Sequence, residues 1–348
     1  MLERAGKIRF TQEILPAPPI DHSAAGHLRD VSESYMTLRL DNKIELFLDT
    51  HDSWELDPTA LHHSTLYFKR SLDPSRVPVQ FAGKVRPLGL NYEVRANGFD
   101  RHEAYREIML RGSGARRVRA LCDFLLRVGL ASINCGNRPT VTLLTRRPEP
   151  VHAPSVLFMA RVWDPKEIAD HSLDRIQQRE ELNEMRARCI RTLRRTFGTQ
   201  FFGGLEHTPF AVKTYPDLLI PDPALSSKRK YIQLVRQYPI CIATAGLHGS
   251  NGWKLAEYVA LSRAIISEPL RYTVTGNFLP AQNYLEFRSP EECESQVSGL
   301  LRNSDLRDSM MERNSEYYQT YLRPDRLVDH LIEQAISDTI HPGSLTPT

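Results

Sequence analysis

Short β-branched apolar runs alternate with amphipathic stretches along most of this chain, and one proline-rich segment divides the alternation in two. Alternating strand and helix patterns build parallel sheets flanked by helices. At 348 residues the chain exceeds one ordinary core and suits two domains of roughly 150 to 180 residues each. These observations predict an α/β protein made of two Rossmann-like domains facing a cleft. The expected divisions are an irregular lead-in over residues 1–30, an α/β domain over 31–150, a second α/β domain over 151–338 and a tail over 339–348.

The lead-in carries LPAPPIDHSAAGH, rich in Pro and Ala and without sustained periodicity. TLRL, IELFLD and LYFK then read as strands, while HEAYREIMLR and ARRVRALCDFLLRVGL space apolar residues by three and four, as helices do. Residues 137–154 hold four prolines and close this half, which places a hinge near residue 150. The second half opens with the strand SVLFMARVW. A charge-rich stretch from Pro165 to Phe197 follows, long enough for two helices or one extended one. After QFFGGL and the helix SSKRKYIQLVRQ, the runs ICIATA and AIISE flank the helix GWKLAEYVALS. Fully apolar runs of this kind suit parallel strands buried on both faces. NYLEF precedes three more helical segments: PEECESQVSGLL, a segment capped by Ser304, and one with Pro324 near its first turn.

Composition narrows the function. With 41% hydrophobic and 25% charged residues the chain is globular, and a formal charge of +3 from 45 basic and 42 acidic residues gives no reason to expect a nucleic-acid partner. The five cysteines, Cys122, Cys135, Cys189, Cys241 and Cys293, are widely spaced and form no CxxC pair, so neither a disulfide framework nor a zinc site is indicated. MLERAGKIRF lacks the apolar core of a signal peptide and no apolar run is of membrane-spanning length; the expected location is the cytoplasm. The four arginines and apolar stripe of residues 114–130 also fit a helix peripheral to the inner membrane face, although packing against a sheet explains them as well. The histidines show no metal-ligand spacing, so no metal is expected. Nothing in the sequence fixes an oligomeric state.

GSNGWKLAEY, residues 249–258, ends a buried strand with two glycines and starts a helix. Unpaired amides and the positive end of a helix dipole then point to one place, which makes an anion site of Gly249, Ser250, Asn251, Gly252, Trp253 and Lys254. Asn251 is placed to cap the helix. Lys254, in the first turn, is disfavoured by the dipole unless an anion offsets it. The alternative is a turn that needs glycine for backbone reasons alone. One turn further, Glu257 is either a carboxylate for two vicinal hydroxyls or a surface partner of Lys254 or Arg263.

In the first half, LDTHDSW gathers Asp49, His51 and Asp52 at a strand end, where a general base can face a cleft; an Asx turn or helix cap is the alternative for either aspartate. Lys69, Arg70, Lys84 and Arg86 follow other strands and are candidates to meet an anionic ligand, or are simply exposed charges. Glu268, at the end of AIISE, either faces the cleft or caps the next loop, and residues 268–278 with Gly276 and Asn277 are expected over the far end of a ligand.

Three segments of the second half carry a resemblance to a known family. FMARVWDPK, GLHGSNGWKLAEYVALSRAIISEPL and GNFLPAQNYLEFRSPEECESQVSGLLRNSDLRDSMMERNSEYY resemble the C-terminal, donor-binding domain of two-domain (GT-B) nucleotide-sugar glycosyltransferases, especially those of group 1. The resemblance covers roughly residues 155 to 335, about half the chain. It implies a donor diphosphate held by Arg161 and Lys166, phosphates facing the glycine loop, and ribose hydroxyls on Glu257. It also implies a nucleoside-diphosphate sugar as donor substrate, no separate cofactor, and an acceptor held largely by the first half with His51 or Asp52 as base. The first glutamate of retaining members falls on Gly249 here, so the stereochemical course is not implied. A nucleotide-sugar epimerase or hydrolase, and a catalytically degenerate nucleotide-sugar-binding protein, remain open alternatives.

Overall fold

The computed structural model describes residues 35–95, 118, 139–149, 151, 153–167 and 172–340. The lead-in, the segments expected to be helical at 102–111 and 115–130 (apart from residue 118), Cys122, Cys135 and the tail beyond residue 340 lie outside the described residues. So does the membrane-facing reading of residues 114–130.

The chain is α/β, with two sheets. The first has the order β1-β2-β3-β4, from β1 (Tyr35–Leu40), β2 (Ile44–Asp49), β3 (Leu66–Lys69) and β4 (Val85–Pro87). Its first pair is an antiparallel hairpin, Leu40 opposite Ile44, and only β2, β3 and β4 are parallel. The hairpin turn places Asp41 and Asn42 at φ 49° and 54°, a left-handed pair that these short polar side chains tolerate. A short helix α1 (Pro58–His63) crosses from β2 to β3, started by Pro58 and capped by Asp57, whose carboxylate accepts the Ala60 amide at 2.8 Å.

The second sheet is wholly parallel, ordered β6-β5-β7-β8-β9. It comprises β5 (Val156–Ala160), β6 (Phe201–Leu205), β7 (Ile240–Ala243), β8 (Ala264–Ser267) and β9 (Leu285–Glu286). After α2 (Val141–Leu144), the helices of this half are α3 (Leu173–Phe197), α4 (Pro209–Thr214), α5 (Lys228–Gln237), α6 (Trp253–Ala260), α7 (Pro290–Arg302), α8 (Ser304–Tyr317) and α9 (Pro324–Ile340). Side chains alternate between two cores, as the strand period of two requires. Leu157, Met159, Cys241 and Ile265 pack against α5 and α6, whereas Val156, Phe158, Ile242 and Ile266 pack against α3, α7 and α8. Burial on both faces is why these strands read as unbroken apolar runs.

The charge-rich stretch resolves into one 25-residue helix, α3, that stops at Gly198 with φ 49°. Helix α8 is capped by Asn303, not by Ser304: the Asn303 carboxamide accepts the Leu306 amide at 3.0 Å, while Ser304 is already helical and its hydroxyl turns to Asp305. Helix α9 lies on the first sheet, where Leu331 and Ala335 join Leu46, Leu66, Phe68 and Leu88 in one core. The halves also meet through hydrogen bonds at strand ends: the Thr273 amide donates to Leu72 O, and the Thr275 hydroxyl to Pro87 O, both at 2.9 Å. Cys189, Cys241 and Cys293 are buried and unpaired. Among the described residues no helix is long and apolar enough to cross a membrane.

Candidate functional site

Strand order in the second sheet reverses at β5, which has β6 on one side and β7 on the other. The loops leaving the carboxyl ends of β5 and β7 therefore diverge, and the crevice between them is the place where open α/β sheets bind ligands. Both glycine-loop and cation candidates of the second half sit there.

After β5, Arg161 and Lys166 are exposed, and among the described residues neither side chain has an ion-pair partner; the nearby Asp164 instead accepts the Lys166 backbone amide at 2.9 Å. After β7, a tight turn over Leu247–Gly249 holds His248 at φ 61° and Gly249 at φ 69°. The turn is closed by the Gly246 amide donating to Ser250 O at 2.7 Å and by the Tyr272 hydroxyl donating to His248 O at 2.6 Å. Gly252 is needed for close approach, since a Cβ there would stand 2.9 Å from the Thr244 carbonyl oxygen. It is also the residue from which α6 starts, and no side chain caps the helix. The Leu255 amide turns back to Gly252 O at 3.1 Å, which leaves the Trp253 and Lys254 amides of the first turn to face an anion.

The geometry corrects three expectations about this loop. Asn251 does not cap α6, because it lies one residue too early; its side-chain amide donates to Tyr272 O at 3.1 Å. Lys254 needs no ligand to offset the dipole: its ammonium donates to Met159 O at 2.7 Å and to the Glu206 carboxylate at 3.0 Å, so Glu206 is an anion that does so within the protein. Glu257 is neither a surface carboxylate nor a partner of Lys254 or Arg263. It is 1% exposed and ion-paired with Lys228 at the start of α5, with its second oxygen buried and without a hydrogen-bond partner. Burial raises its carboxyl above the ordinary 4.5 against the opposing pull of Lys228.

Ser250 and Asn251 are buried, while Trp253 is 47% exposed. Glu268 caps the loop after β7, accepting the Ala245 amide at 2.8 Å, and burial raises its carboxyl. A small cleft is lined by Ala243–Ala245, Gly249–Gly252, Leu255 and Ser267–Leu270, between the loops that follow β7 and β8.

From the first half, Arg70 at the end of β3 reaches this loop. Its guanidinium is 3% exposed, donates to Asn251 O at 2.9 Å, lies 5.7 Å from the Trp253 ring and pairs with Asp52. Asp52 is thereby committed to a cation. The His51 amide donates to Asp49 at 2.9 Å, its Nδ1 stands 2.9 Å from the Ser53 hydroxyl, and Ser53 in turn donates to Glu55 at 3.3 Å. Burial, with the charges of Arg175 and His51, holds the His248 imidazole below its ordinary 6.5. Lys69 is fully buried against Asp49, Lys84 donates to Ser64 O and Arg86 pairs with Asp338, so these three are structural cations. Sequence reasoning missed His248, Lys228 and the buried Arg186 of α3; only Arg186 left a signal, as a polar residue in a stripe at helical spacing. Among the described residues no group of three or more His, Cys, Asp or Glu is placed to hold a metal ion.

The fold and site together define a doubly wound α/β half with an anion-ready crevice at its strand-order reversal. No protein-family model and no curated protein matches the sequence. Solved structures similar to it include the C-terminal domain of a glycosyl transferase group 1 family protein from Francisella tularensis, at 12% identity and a TM-score of 0.37 over 53% of this chain and 98% of that one. Another is Anabaena HepE in complex with UDP and glucose, at 11% identity and a TM-score of 0.40 over 80% of this chain and 65% of that one. A third is S. aureus TarM in complex with Fondaparinux, alpha-GlcNAc-glycerol and UDP, at 10% identity and a TM-score of 0.38 over 78% of this chain and 55% of that one. The chain thus spans just over half the length of TarM and under two thirds of that of HepE. Likenesses at this level say nothing about the occupant of the crevice, which has to be read from its residues.

Proposed function

We propose that this chain is a glycosyltransferase that takes a nucleoside-diphosphate sugar into the second half and transfers the sugar to an acceptor hydroxyl presented by the first. The observation that carries this reading is that Arg161 and Lys166, without an ion-pair partner among the described residues, follow β5 while the uncapped start of α6 follows β7, on the two strands at the strand-order reversal. Negative charge builds on the departing diphosphate as the glycosidic bond breaks. Cations and fixed amides stabilise that charge in the transition state without having to reorganise, and the reading calls on no metal ion. Glu257 would meet the ribose one turn deeper, exchanging its contact with Lys228 for hydroxyl donors. With Asp52 tied to Arg70, His51 is the better placed acceptor base. The reaction is read as cytoplasmic.

A thermal-shift panel of UDP, GDP, dTDP and CDP tests the donor. A nucleotide at about 100 times its Kd stabilises the native state by roughly 2.7 kcal/mol, and Glu257→Ala is expected to abolish that shift. Absence of any shift in the wild type removes the donor site, and an unchanged shift in the variant removes Glu257 from it. Product analysis then separates transfer, with sugar on an added acceptor, from release of free or isomerised sugar.

A further inference from the structure

Helix α3 carries Arg179, Asn183 and Arg186 at spacings of four and three, which puts them on one face. All three reach the backbone of the loop that bears Arg161 and Lys166. Arg179 donates to Asp164 O at 2.6 Å and to Glu167 O at 2.9 Å. Asn183 donates to Trp163 O at 2.7 Å and accepts the Trp163 amide at 3.1 Å. Arg186 donates through Nη1 to Arg161 O at 2.6 Å, then crosses to the other loop, with Nη2 on Ala245 O at 2.6 Å and Nε on the Thr244 hydroxyl at 3.0 Å. Trp163 covers its guanidinium at 4.5 Å. Two turns towards the helix start, the Gln178 side chain accepts the His248 amide at 3.1 Å, so the same helix holds the glycine loop as well.

Arg186 is 4% exposed, and among the described residues no carboxylate lies within ion-pair distance of it. Glu268 and Glu206 act on it only from farther away, and desolvation lowers its pKa to about 10, which leaves it charged at neutral pH. A buried charge whose donors end on neutral oxygens is a costly way to tie two loops, and a neutral amide such as Asn183 does that work without the charge. An anion bound in front of the loops would recover the cost.

We propose that Arg186 is a positioning residue for the diphosphate of the donor: it fixes the Arg161 backbone and the Ala245 turn in one register and adds positive potential behind them. The proposal rests on the nucleotide-sugar reading, and inorganic pyrophosphate as a probe allows the two to fail separately.

Isothermal titration calorimetry on the full chain uses pyrophosphate, the four nucleoside diphosphates above and their nucleosides. Arg186→Lys keeps the charge and loses the fork, and is expected to weaken pyrophosphate and the best diphosphate by about tenfold while leaving its nucleoside within about twofold. Because Arg186 acts through Arg161, the same change in an Arg161→Ala background is expected to cost less than about threefold. Unchanged phosphate affinity, or equal losses for nucleoside and diphosphate as a purely structural tie would give, overturns the proposal. Should Arg186→Lys fail to fold, the half-buried Arg179→Gln decides: it must weaken pyrophosphate by about threefold or more and spare the nucleoside. Binding of pyrophosphate but of no nucleotide to the wild type would sink the nucleotide reading and leave Arg186 to be judged on pyrophosphate; failure of pyrophosphate to bind would overturn the proposal itself.

Discussion

Replacing Lys228 by Met should destabilise the protein in a pH-dependent way, while replacing its partner Glu257 by Gln should not. The carboxylate is 1% exposed and the ammonium 29% exposed, so the pair is sealed on one side and open to water on the other. Deleting one member of a fully buried pair costs about 3–5 kcal/mol, because the remaining charge stays desolvated. Water beside Lys228 already screens the attraction, which brings the expected cost of Lys228→Met to about 1.5–3 kcal/mol near pH 8. At roughly 2–4 °C per kcal/mol this is a fall of about 3–12 °C in Tm. The folded-state pKa of Glu257 already lies above its ordinary 4.5, and Lys228 is the largest influence holding it down. Losing Lys228 raises it further. A carboxyl raised in the folded state contributes its stability below the unfolded pKa and loses it as pH rises through the folded one, so the penalty should shrink towards about pH 5, where Glu257 can bury a proton. Glu257→Gln removes the buried charge and leaves only a partly solvated ammonium, so its stability should lie within about 1 kcal/mol of wild type, or roughly 2–4 °C in Tm. Scanning calorimetry at the two pH values checks both. A Lys228→Met penalty that is the same at pH 5 and pH 8, or a Glu257→Gln variant as unstable as Lys228→Met, would refute the reasoning.

Two further changes test the fold and the loop. Gly203 stands opposite Phe158 in the β5–β6 ladder, and a Cβ there would lie 2.2 Å from the Phe158 carbonyl oxygen; Gly203→Ala should cost at least about 2 kcal/mol, read as a lower Tm, and a Tm equal to wild type would show that the two strands can separate without penalty. His248→Asn keeps a residue that accepts the φ of 61° but removes an imidazole whose pKa burial, Arg175 and His51 hold below 6.5. A depressed folded pKa supplies stability above the unfolded value that is lost as pH falls through the folded one, so the variant should match wild type near pH 8 and lose less Tm on acidification below about pH 6.5; parallel Tm–pH curves would count against it.

How much of this was legible depended on whether the controlling contact was local. VLFMA, ICIA and AIIS announced buried parallel strands because each lies between two helix layers, and their shortness and flanking turn residues set them apart from buried helix. The glycine bend was legible for the same reason, since its constraints come from backbone within a few residues. The employment of Lys254 was not, because Glu206 stands 48 residues away and meets it only once β6 has paired beside β5. Lys228 and Glu257 are likewise joined by the packing of α5 on α6, which no spacing encodes. The first sheet was read as strands without its hairpin, although Asp41 and Asn42 are residues that tolerate left-handed backbone. Ser304 was an error of one position between two good caps, and only the Asn303 hydrogen bond to Leu306 separates them.

The distribution of cations argues for where a ligand belongs. Lys69, Arg70, Arg186 and Lys254 each have their donors taken up within the protein, by Asp49, by Asp52 and Asn251 O, by three loop oxygens, and by Glu206 with Met159 O. Three of them are nearly or fully buried, where an unsatisfied donor would be costly. Arg161 and Lys166 differ in kind: the buried set fixes their loop and the neighbouring glycine bend, while their own charges are spent on nothing among the described residues. Exposure lets water satisfy them at little cost, so stability does not explain why two solvated cations should be mounted on so rigidly tied a loop. Under the proposed reading preorganisation does: a fixed loop backbone reduces, without abolishing, the entropy the two side chains lose when an anion arrives, and the start of α6 would take the other side of that anion.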